Sequence, residues 1–272
     1  MTPVRLGAVE YLNARPLVFR LDRHPRFTLR FDWPSRCAAL LHEGAIDLGL
    51  IPSIEYLRGP AGSDYRIVPD LAVASCGPVA SVALYTTRHV QDIRSIALDT
   101  TSRTSVALTR VLAARVFHIE PALHEQGPDL GAMLATHDAA LIIGDRALLH
   151  GGGLHTIGDR EVQVEKIDLG ELWTRETGLP FVYAFWAGRP GPVEAAEVAA
   201  LQEARDRAFH AIDTVSAEYF TDDPALRPLG VRYLRDNIRY HLGADERAGL
   251  ELFYRYAAEA GVVPESLALR FF

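Results

Sequence analysis

Hydroxyl side chains crowd residues 100–105, which follow the predicted strand Ser95–Leu98 and open a predicted helix. The first turn of a helix has N–H groups without partners inside the helix and carries the positive end of the helix dipole, so it attracts anions. One capping serine with a solvated arginine would give part of this pattern, but the hydroxyl groups outnumber what one cap requires. The sequence therefore predicts an anion site at Ser102, Arg103, Thr104 and Ser105.

Asn13 and Arg15 follow the apolar stretch Val4–Val9, which is predicted to be a strand. Ligands of parallel α/β sheets collect at the carboxyl ends of the strands, so both side chains are candidates to contact one. An amide offers a donor and an acceptor, and a guanidinium offers a fork of donors that fits a carboxylate. A strand-to-helix connection with Asn13 as the N-cap and Arg15 in solvent would give the same pattern.

Three further strand ends carry small or polar residues that can approach a ligand. Glycine and proline between two strands let backbone N–H groups come close to a bound molecule, and a neighbouring serine can donate to it. Ordinary turns and helix caps have the same composition, so each position also has a purely structural explanation. The candidates are Ser53 after the strand at 46–51, Gly77 and Ser81 around a Gly-Pro turn, and Gly144 with Asp145 after the strand at 139–143.

The common motifs of other chemistries are missing from the sequence. There is no GxSxG, Walker A or GxGxxG pattern for acyl, nucleotide or dinucleotide chemistry, and no HExxH or CxxC pattern for a metal site. Cys37 and Cys76 are expected to be free thiols, because a single disulfide cannot form the stabilising framework of a chain of this size. They are expected to be buried, because free cysteines are usually found in protein cores. The sequence therefore predicts neither a metal site nor a disulfide framework.

The composition is that of a soluble globular protein. Hydrophobic residues make up 49% and charged residues 23% of the 272 residues, which excludes disordered, coiled-coil and collagen-like chains. The 28 Lys and Arg against 35 Asp and Glu give a net charge of −7, so nucleic acid is not an expected partner. No apolar window reaches about 18 residues, so no membrane span is expected. The N-terminal residues lack a signal-peptide pattern, and a cytoplasmic location is expected.

Strands that alternate with helices position these residues and predict an α/β fold with a mostly parallel sheet. The early elements are strands at 4–9, 27–31 and 46–51 and a helix at 35–44. Further strands are predicted at 67–75, 80–85, 95–98, 139–143 and 181–187. Residues 193–220 and 245–260 are predicted to be helical, with one apolar face formed by Leu250, Phe253, Tyr254 and Ala257.

Two breaks in this pattern predict two lobes. The polar segment 85–93 and the Gly/Pro cluster at 188–192 are the candidate crossovers between them. Two crossovers imply one discontinuous lobe, so lobe 1 is predicted to comprise 1–86 and 190–272, and lobe 2 to comprise 87–189. A ligand would then lie in the cleft between the lobes.

Several ordered segments carry a family resemblance: 11–17, 44–53, 77–82, 98–99 with 102–106, and 143–145, followed near the C-terminus by 240–243. At these residues the chain resembles the chorismate dehydratase family of the futalosine route to menaquinone. The resemblance extends over nearly the whole chain. It implies the two-lobed fold of type II periplasmic binding proteins, with mixed sheets flanked by helices and a ligand cleft between the lobes.

The resemblance implies that the chain removes water from chorismate, a dicarboxylate, to give 3-[(1-carboxyvinyl)oxy]benzoate without a cofactor. In the pattern of this family Asn13 and Ser81 are the catalytic residues beside the reacting carbons, and residues 102–105 hold a carboxylate. An amide is too weak a base to take a proton from carbon, and the family suggests that the substrate's own side-chain carboxylate takes it. The other substrate-binding residues that the resemblance implies are Tyr11, Arg15, Ser53, Gly77, Gly144 and Asp145.

Two alternatives accompany this interpretation. The sister enzyme of the same fold, 1,4-dihydroxy-6-naphthoate synthase, carries a Pro-Cys-Pro-Asn-Asp type motif near the N-terminus and is expected to place an acid–base histidine where this chain has Gly144; the sequence departs from both features. A non-catalytic cytoplasmic protein that binds a small anion is the alternative from another class, because a fold alone does not imply catalysis. The sequence gives no prediction of the oligomeric state.

Overall fold

The computed structural model describes residues 2–60 and 63–272, and the strands of these residues form two mixed sheets. In chain order the strands are β1 (Val4–Val9), β2 (Phe27–Asp32), β3 (Leu48–Pro52), β4 (Arg66–Ile67), β5 (Val73–Ser75), β6 (Val82–Thr86), β7 (Ser95–Leu98), β8 (Ala122–Glu125), β9 (Ala139–Ile143), β10 (Gly153–Ile157), β11 (Arg160–Asp168) and β12 (Phe181–Gly188). The first sheet has the order β2-β1-β3-β12-β4, with β5 also paired to β12, and the second has the order β10-β11-β6-β9-β7-β8.

Parallel and antiparallel pairs occur in both sheets. In the first sheet β1 is parallel to β2 and β3, whereas β12 is antiparallel to β3, β4 and β5. In the second sheet β7 is parallel to β8 and β9, whereas β6 is antiparallel to β9 and β11. The carboxyl ends of the parallel strands β1, β3 and β9 carry the segments that form the site described below.

Helices pack against both sheets. They are α1 (Pro34–His42), α2 (Arg103–Leu112), α3 (Leu130–Thr136), α4 (Gly144–Leu149), α5 (Leu169–Thr177), α6 (Ala195–Phe209), α7 (Ile212–Tyr219), α8 (Arg227–Arg232) and α9 (Ala244–Glu259). The helices predicted after residue 193 are confirmed, and the predicted apolar face of α9 is buried in the core. None of the helices in the described ranges is long and apolar enough to cross a membrane.

The chain crosses between the sheets earlier than the sequence pattern predicts. β6 pairs with β9 and β11 in the second sheet, so the first crossover precedes Val82 and is not at residue 86. β12 pairs with β3 in the first sheet, so the return lies between Asp168 and Phe181 and not at residue 189. Turn-forming residues occur wherever the chain changes direction, and they do not show whether the chain also changes lobe. The turn after β6 stays within the second lobe, and the turn after β12 stays within the first lobe.

Some short strands also differ from the prediction. The strand predicted at 67–75 is two strands, β4 and β5, because the chain turns at Asp70, which has a positive φ of 60°. The strands β8, β10 and β11 are not predicted, since their exposed faces are rich in polar residues and the apolar alternation is weak.

The second sheet buries both of its faces. Val82 and Leu84 belong to a large apolar cluster that continues into the first sheet, whereas Ala83 and Tyr85 join a smaller cluster on the opposite face. This alternation follows from the two-residue period of a strand. Cys37 is buried, as predicted, but the prediction for the other thiol is wrong because Cys76 lies exposed in the first crossover.

Candidate functional site

A cavity lies between the two sheets at the carboxyl ends of β1, β3 and β9. Its empty space, including the part that opens to solvent, is about 510 Å³. Apolar side chains such as Val9, Leu50, Val79 and Ile143 form much of its wall. The polar residues that line it are Tyr11, Asn13, Ser81, Ser102, Ser105 and Tyr183.

The segment after β1 brings Tyr11 and Asn13 to the cavity. Residues Leu12–Val18 form a 3-10 helix that contains Pro16, and the apolar side chains of this helix are buried in the first lobe. The polar side chains of the segment are therefore left to face the space between the sheets. The structure places two of the three candidates from this segment at the cavity.

Arg15, the third candidate, lies outside this cavity. Its guanidinium lies 4.5 Å from the centre of the Phe31 ring and 5.1 Å from that of Tyr219, and Nη2 donates to the Glu10 carbonyl oxygen over 3.0 Å. Arginine commonly stacks on aromatic rings in this way. Arg15 borders a separate space on the outer side of Tyr11.

Tyr11 crosses from the first lobe to the second. Its hydroxyl donates to Thr101 Oγ1 over 3.2 Å, and its ring lies against Gly144, where an added Cβ would be 3.1 Å from two ring atoms. Gly144 also has a φ of +65°, so glycine is favoured there for both conformation and space. Burial raises the pKa of Tyr11 to about 12, and the phenol is neutral at physiological pH.

Asp145, the other candidate at this strand end, links the lobes rather than lining the cavity. Its Oδ1 accepts the Leu12 N–H over 3.3 Å, and its Oδ2 accepts a hydrogen bond from the Tyr219 hydroxyl. Burial raises the pKa of Asp145 above its ordinary value, and the two donors offset only part of this rise. Gly144 and Asp145 therefore hold residues of the first lobe against the second.

Two of the four residues in the predicted anion site face the cavity. Ser102 and Ser105 line it, and their Oγ atoms are 3.1 Å apart. Ser102 is the residue just before α2, and Ser105 lies in the first turn of this ten-residue helix, where backbone N–H groups lack partners within the helix. The hydroxyl groups, the N–H groups and the dipole of α2 together suit a carboxylate.

Thr104 is turned away from the cavity and packs against the first lobe. Its Oγ1 accepts the Ile54 N–H over 3.2 Å and lies 3.4 Å from Ser53 Oγ. The Ser53 hydroxyl donates to the Val182 carbonyl oxygen over 2.8 Å. Ser53 and Thr104 are both fully buried, so they join the lobes behind the cavity wall.

Arg103 also points away from the cavity, toward a buried carboxylate. Its Nη1 lies 2.7 Å from Oε2 of Glu55, which is only 1% exposed. Arg58 Nη1 lies 3.1 Å from Glu55 Oε1, and His42 Nε2 lies 3.5 Å from Oε2. Burial raises the pKa of Glu55, but His42, Arg103 and Arg58 outweigh this effect and hold it below its ordinary value.

Gly77 lies in the first crossover and not in the cavity wall. Its N–H donates to Thr174 Oγ1 over 2.8 Å, and its φ of +97° is one that glycine adopts readily. Two carboxylate oxygens of Asp168, at the second crossover, accept the N–H groups of Val79 and Ala80 over 3.1 and 2.6 Å. The Gly-Pro turn therefore belongs to the junction between the lobes.

Ser81 lines the cavity, as predicted for a ligand contact, and it has a partner that the strand-end motifs do not include. The Tyr233 hydroxyl donates to Ser81 Oγ over 2.7 Å. Tyr183, on β12, also lines the cavity, and its hydroxyl lies 3.1 Å from Ser75 Oγ. No short-range motif singles out either tyrosine, because each reaches the site from an element distant in sequence.

The polar groups in the cavity wall are uncharged. Among the described residues, no Asp, Glu, Lys, Arg or His side chain lines it. The described residues also contain no group of three or more His, Cys, Asp or Glu side chains arranged to hold a metal ion. An anion bound here would be held by neutral hydroxyl, amide and N–H donors.

Three comparisons relate the chain to known proteins. A family model described as menaquinone biosynthesis matches residues 4–259. The chain is 34% identical over 262 residues to a chorismate dehydratase of Thermus thermophilus, an alignment that covers 93% of this chain and 94% of that protein. Among solved structures, a protein of Archaeoglobus fulgidus has a TM-score of 0.72 at 15% identity and covers 96% of this chain and 98% of its own.

The periplasmic aliphatic sulphonate binding protein of Escherichia coli has a TM-score of 0.65 at 18% identity, with 98% of this chain and 90% of that chain covered. At such identities the two solved structures bear on the fold alone. The predicted α/β fold of periplasmic binding proteins, with mixed sheets flanked by helices, is confirmed.

Proposed function

The chain belongs to the menaquinone biosynthesis family, and from this premise we propose that it is a chorismate dehydratase. The observation that carries the proposal is the 34% identity to the Thermus thermophilus enzyme, which extends over 93% of this chain. In this proposal the enzyme is a carbon–oxygen lyase that acts without a cofactor in the futalosine route to menaquinone.

The reaction removes one molecule of water from the substrate ring. The C–H bond breaks at the ring carbon that bears the enol ether, and its electron pair forms a new ring double bond. The C–O bond to the neighbouring hydroxyl group breaks, and that hydroxyl leaves with a proton as water. The product, 3-[(1-carboxyvinyl)oxy]benzoate, is aromatic, so the step is strongly favourable and needs no oxidant.

The uncharged cavity supports a proton transfer to the substrate's own side-chain carboxylate. Among the described residues, none that lines the cavity carries an imidazole, a carboxylate or an amine that could act as the base. A guanidinium next to the substrate carboxylate would lower its pKa and make it a weaker base. Arg103 is paired with Glu55, and Arg15 is stacked on aromatic rings, so neither weakens it.

Four of the six polar residues that line the cavity fall into two groups in this proposal. Ser102, Ser105 and the first N–H groups of α2 hold the ring carboxylate, because the dipole of α2 is positive there. Asn13 and Ser81 lie beside the reacting carbons, where they orient the substrate and donate to the leaving hydroxyl group.

The geometry at Gly144 argues against the sister enzyme, 1,4-dihydroxy-6-naphthoate synthase. A histidine at this position would add a Cβ 3.1 Å from the Tyr11 ring, which is tighter than most Cβ contacts, so the ring would have to shift to admit it. We therefore keep chorismate and its dehydration as the proposal.

Incubation of the purified protein with chorismate tests the proposal. Proton NMR should show loss of the ring methine signals and growth of aromatic signals of the product. Mass spectrometry should show that the product is lighter than chorismate by the mass of one water molecule. Tight chorismate binding by calorimetry without turnover would instead identify a non-catalytic anion-binding protein. The cytoplasmic location that the sequence predicts is part of the proposal and is tested by cell fractionation.

A further inference from the structure

We propose that Tyr233 is a positioning residue for this reaction, which holds the hydroxyl group of Ser81 with its hydrogen directed into the cavity. The inference rests on the proposed function, because Tyr233 acts through Ser81 on the substrate. It adds to the site a residue from the C-terminal part of the chain, far from every strand-end motif of the sequence.

The hydrogen bond between the two hydroxyl groups has a defined direction. Tyr233 donates to Ser81 Oγ over 2.7 Å, and both side chains are 1% exposed. A serine hydroxyl has one hydrogen and two acceptor lone pairs. Because the tyrosine hydrogen occupies one lone pair, the Ser81 hydrogen points away from Tyr233, and the open space beside Ser81 is the cavity that it lines.

The backbone around Ser81 is fixed on both sides. The preceding N–H, of Ala80, donates to Asp168 Oδ2 over 2.6 Å, and the Ser81 carbonyl oxygen accepts the Gly144 N–H over 2.8 Å. Rotation of the side chain about its Cα–Cβ bond is therefore the freedom that is left. The bond to Tyr233 selects one of its three staggered positions.

Tyr233 is itself held in register with the loop that carries Ser81. It begins the wide helical turn Tyr233–Asn237, and Asn237 Nδ2 at the other end donates to the Pro78 carbonyl oxygen over 2.9 Å. Burial raises the pKa of Tyr233, and hydrogen bonding with Ser81 and Asn13 offsets only part of the rise. The phenol stays protonated at neutral pH and is a permanent donor.

Tyr240 shows that a buried tyrosine hydroxyl in this part of the fold can lack a hydrogen-bond partner among the described residues. It is also 1% exposed, yet its hydroxyl has no hydrogen-bond partner among the described residues. The two tyrosines differ chiefly in that the Tyr233 hydroxyl bonds with Ser81 and Asn13, which both line the cavity. Tyr240→Phe, which removes a buried hydroxyl away from the cavity, is therefore the matched control.

Steady-state kinetics with chorismate on four variants test the inference: Tyr233→Phe, Tyr240→Phe, Ser81→Ala and Ser81→Ala with Tyr233→Phe. Tyr233→Phe should lower kcat about 10- to 100-fold, because a misdirected group costs rate, while KM changes less than about threefold. Tyr240→Phe should stay within about twofold of wild type. In the Ser81→Ala background the Tyr233 substitution should lower kcat by a clearly smaller factor, since the Ser81 hydroxyl is gone and only the bond with Asn13 is lost.

Equal losses from Tyr233→Phe in both backgrounds would show that the tyrosine does not act through Ser81 and would overturn the inference. A fully active Tyr233→Phe enzyme would overturn it while the proposed function stands. If Tyr233→Phe does not fold, Ser81→Ala decides, because a fully active Ser81→Ala enzyme leaves Tyr233 nothing to position. Wild-type protein without turnover of chorismate would refute the proposed function before any variant is compared.

Discussion

The two polar segments that meet across the cavity, residues 11–15 after β1 and residues 102–105 at the start of α2, are built differently. The first includes the start of the 3-10 helix Leu12–Val18, and it presents an amide and a phenol to the cavity. The second is the first turn of a ten-residue α-helix, and it presents two hydroxyl groups together with unpaired helix N–H groups. Only the second has the donors and the dipole to hold a negative charge.

The segments share one feature, which is that each directs its arginine away from the cavity. Arg103 pairs with Glu55, and Arg15 stacks between Phe31 and Tyr219. Of these two apparent carboxylate ligands, Arg103 links the lobes and Arg15 packs within the first lobe, so neutral groups are left to face the ligand. The comparison teaches that this site recognises charge through N–H and hydroxyl donors rather than through ion pairs.

Replacement of Asn13 should have the largest effect of any change in the two segments. Asn13→Ala should lower kcat about 10²- to 10³-fold, as expected for loss of a hydrogen bond made mainly in the transition state. Asn13→Asp removes the donor and adds a negative charge next to a dianion, so it should raise KM as well. Steady-state kinetics and thermal unfolding, compared with wild type, measure both effects.

The outcome that contradicts this role is specific. An Asn13→Asp enzyme faster than wild type, with a new titration in the pH profile near an ordinary carboxylate pKa, would make residue 13 a base. An Asn13→Ala enzyme with unchanged kcat would remove residue 13 from the reaction altogether. The second result would leave residues 102–105 as the functional segment of the pair.

Removal of the two serine hydroxyls in the second segment should affect binding more than turnover. Ser102→Ala combined with Ser105→Ala should raise KM about 10- to 100-fold, because hydrogen bonds to a charged group are worth about 1.5–3 kcal/mol. Thr104→Val, in the same turn but outside the cavity, should leave KM within about threefold. It should instead lower the unfolding temperature, since the Ile54 N–H loses its buried acceptor.

A KM increase for Thr104→Val as large as that for the serine pair would show that the turn acts as a unit rather than through its cavity-facing side chains. The serine variant should keep its wild-type unfolding temperature, and circular dichroism on both proteins is the check.

The buried carboxylate that holds Arg103 should contribute measurably to stability. Glu55→Gln should lower the free energy of unfolding by about 1–3 kcal/mol at neutral pH, because it removes a charge with two guanidinium neighbours at 2.7 and 3.1 Å. Glu43→Gln removes the exposed ion pair with Arg36 and is the control, with an expected loss of about 0–1 kcal/mol.

The same carboxylate should give stability a dependence on acid. The pKa of Glu55 is below its ordinary value of 4.5 in the folded protein, so the folded state binds its proton less readily than the unfolded chain. Its contribution is complete above pH 4.5 and is lost as pH falls through the lowered pKa. Between about pH 5 and pH 3, wild type should lose more stability than Glu55→Gln, and parallel denaturation curves would contradict this.

Replacement of Arg15 should have the smallest effect on the reaction. Arg15→Gln should leave kcat and KM within about threefold of wild type, because the guanidinium packs on rings outside the cavity. Loss of the two ring contacts should lower stability by about 1 kcal/mol. A KM increase above tenfold would mean that Arg15 binds a substrate carboxylate, as its position after β1 suggests in the sequence.

The sequence predicts the positions of most elements that form the site. Short apolar runs locate β1, β6, β7, β9 and β12 within a few residues, because buried strands have few polar side chains. The strands of the hairpin β10–β11 are not predicted, because they carry many polar side chains. The lobe crossovers are misplaced, because strand pairing decides which sheet a strand joins and no local pattern records that pairing.

The sequence by itself determined the fold class, the segments that border the cavity and the resemblance to a family. These depend on local periodicity and on ordered motifs. Only the tertiary structure decided which side chains of each motif face the cavity. Arg103 is drawn away by Glu55, 48 residues earlier, and Ser81 is oriented by Tyr233, 152 residues later. Such partners are brought together by packing of the lobes. The spacing of residues along the chain does not indicate which distant residues form one hydrogen bond or ion pair, so these partners could not be predicted from the sequence.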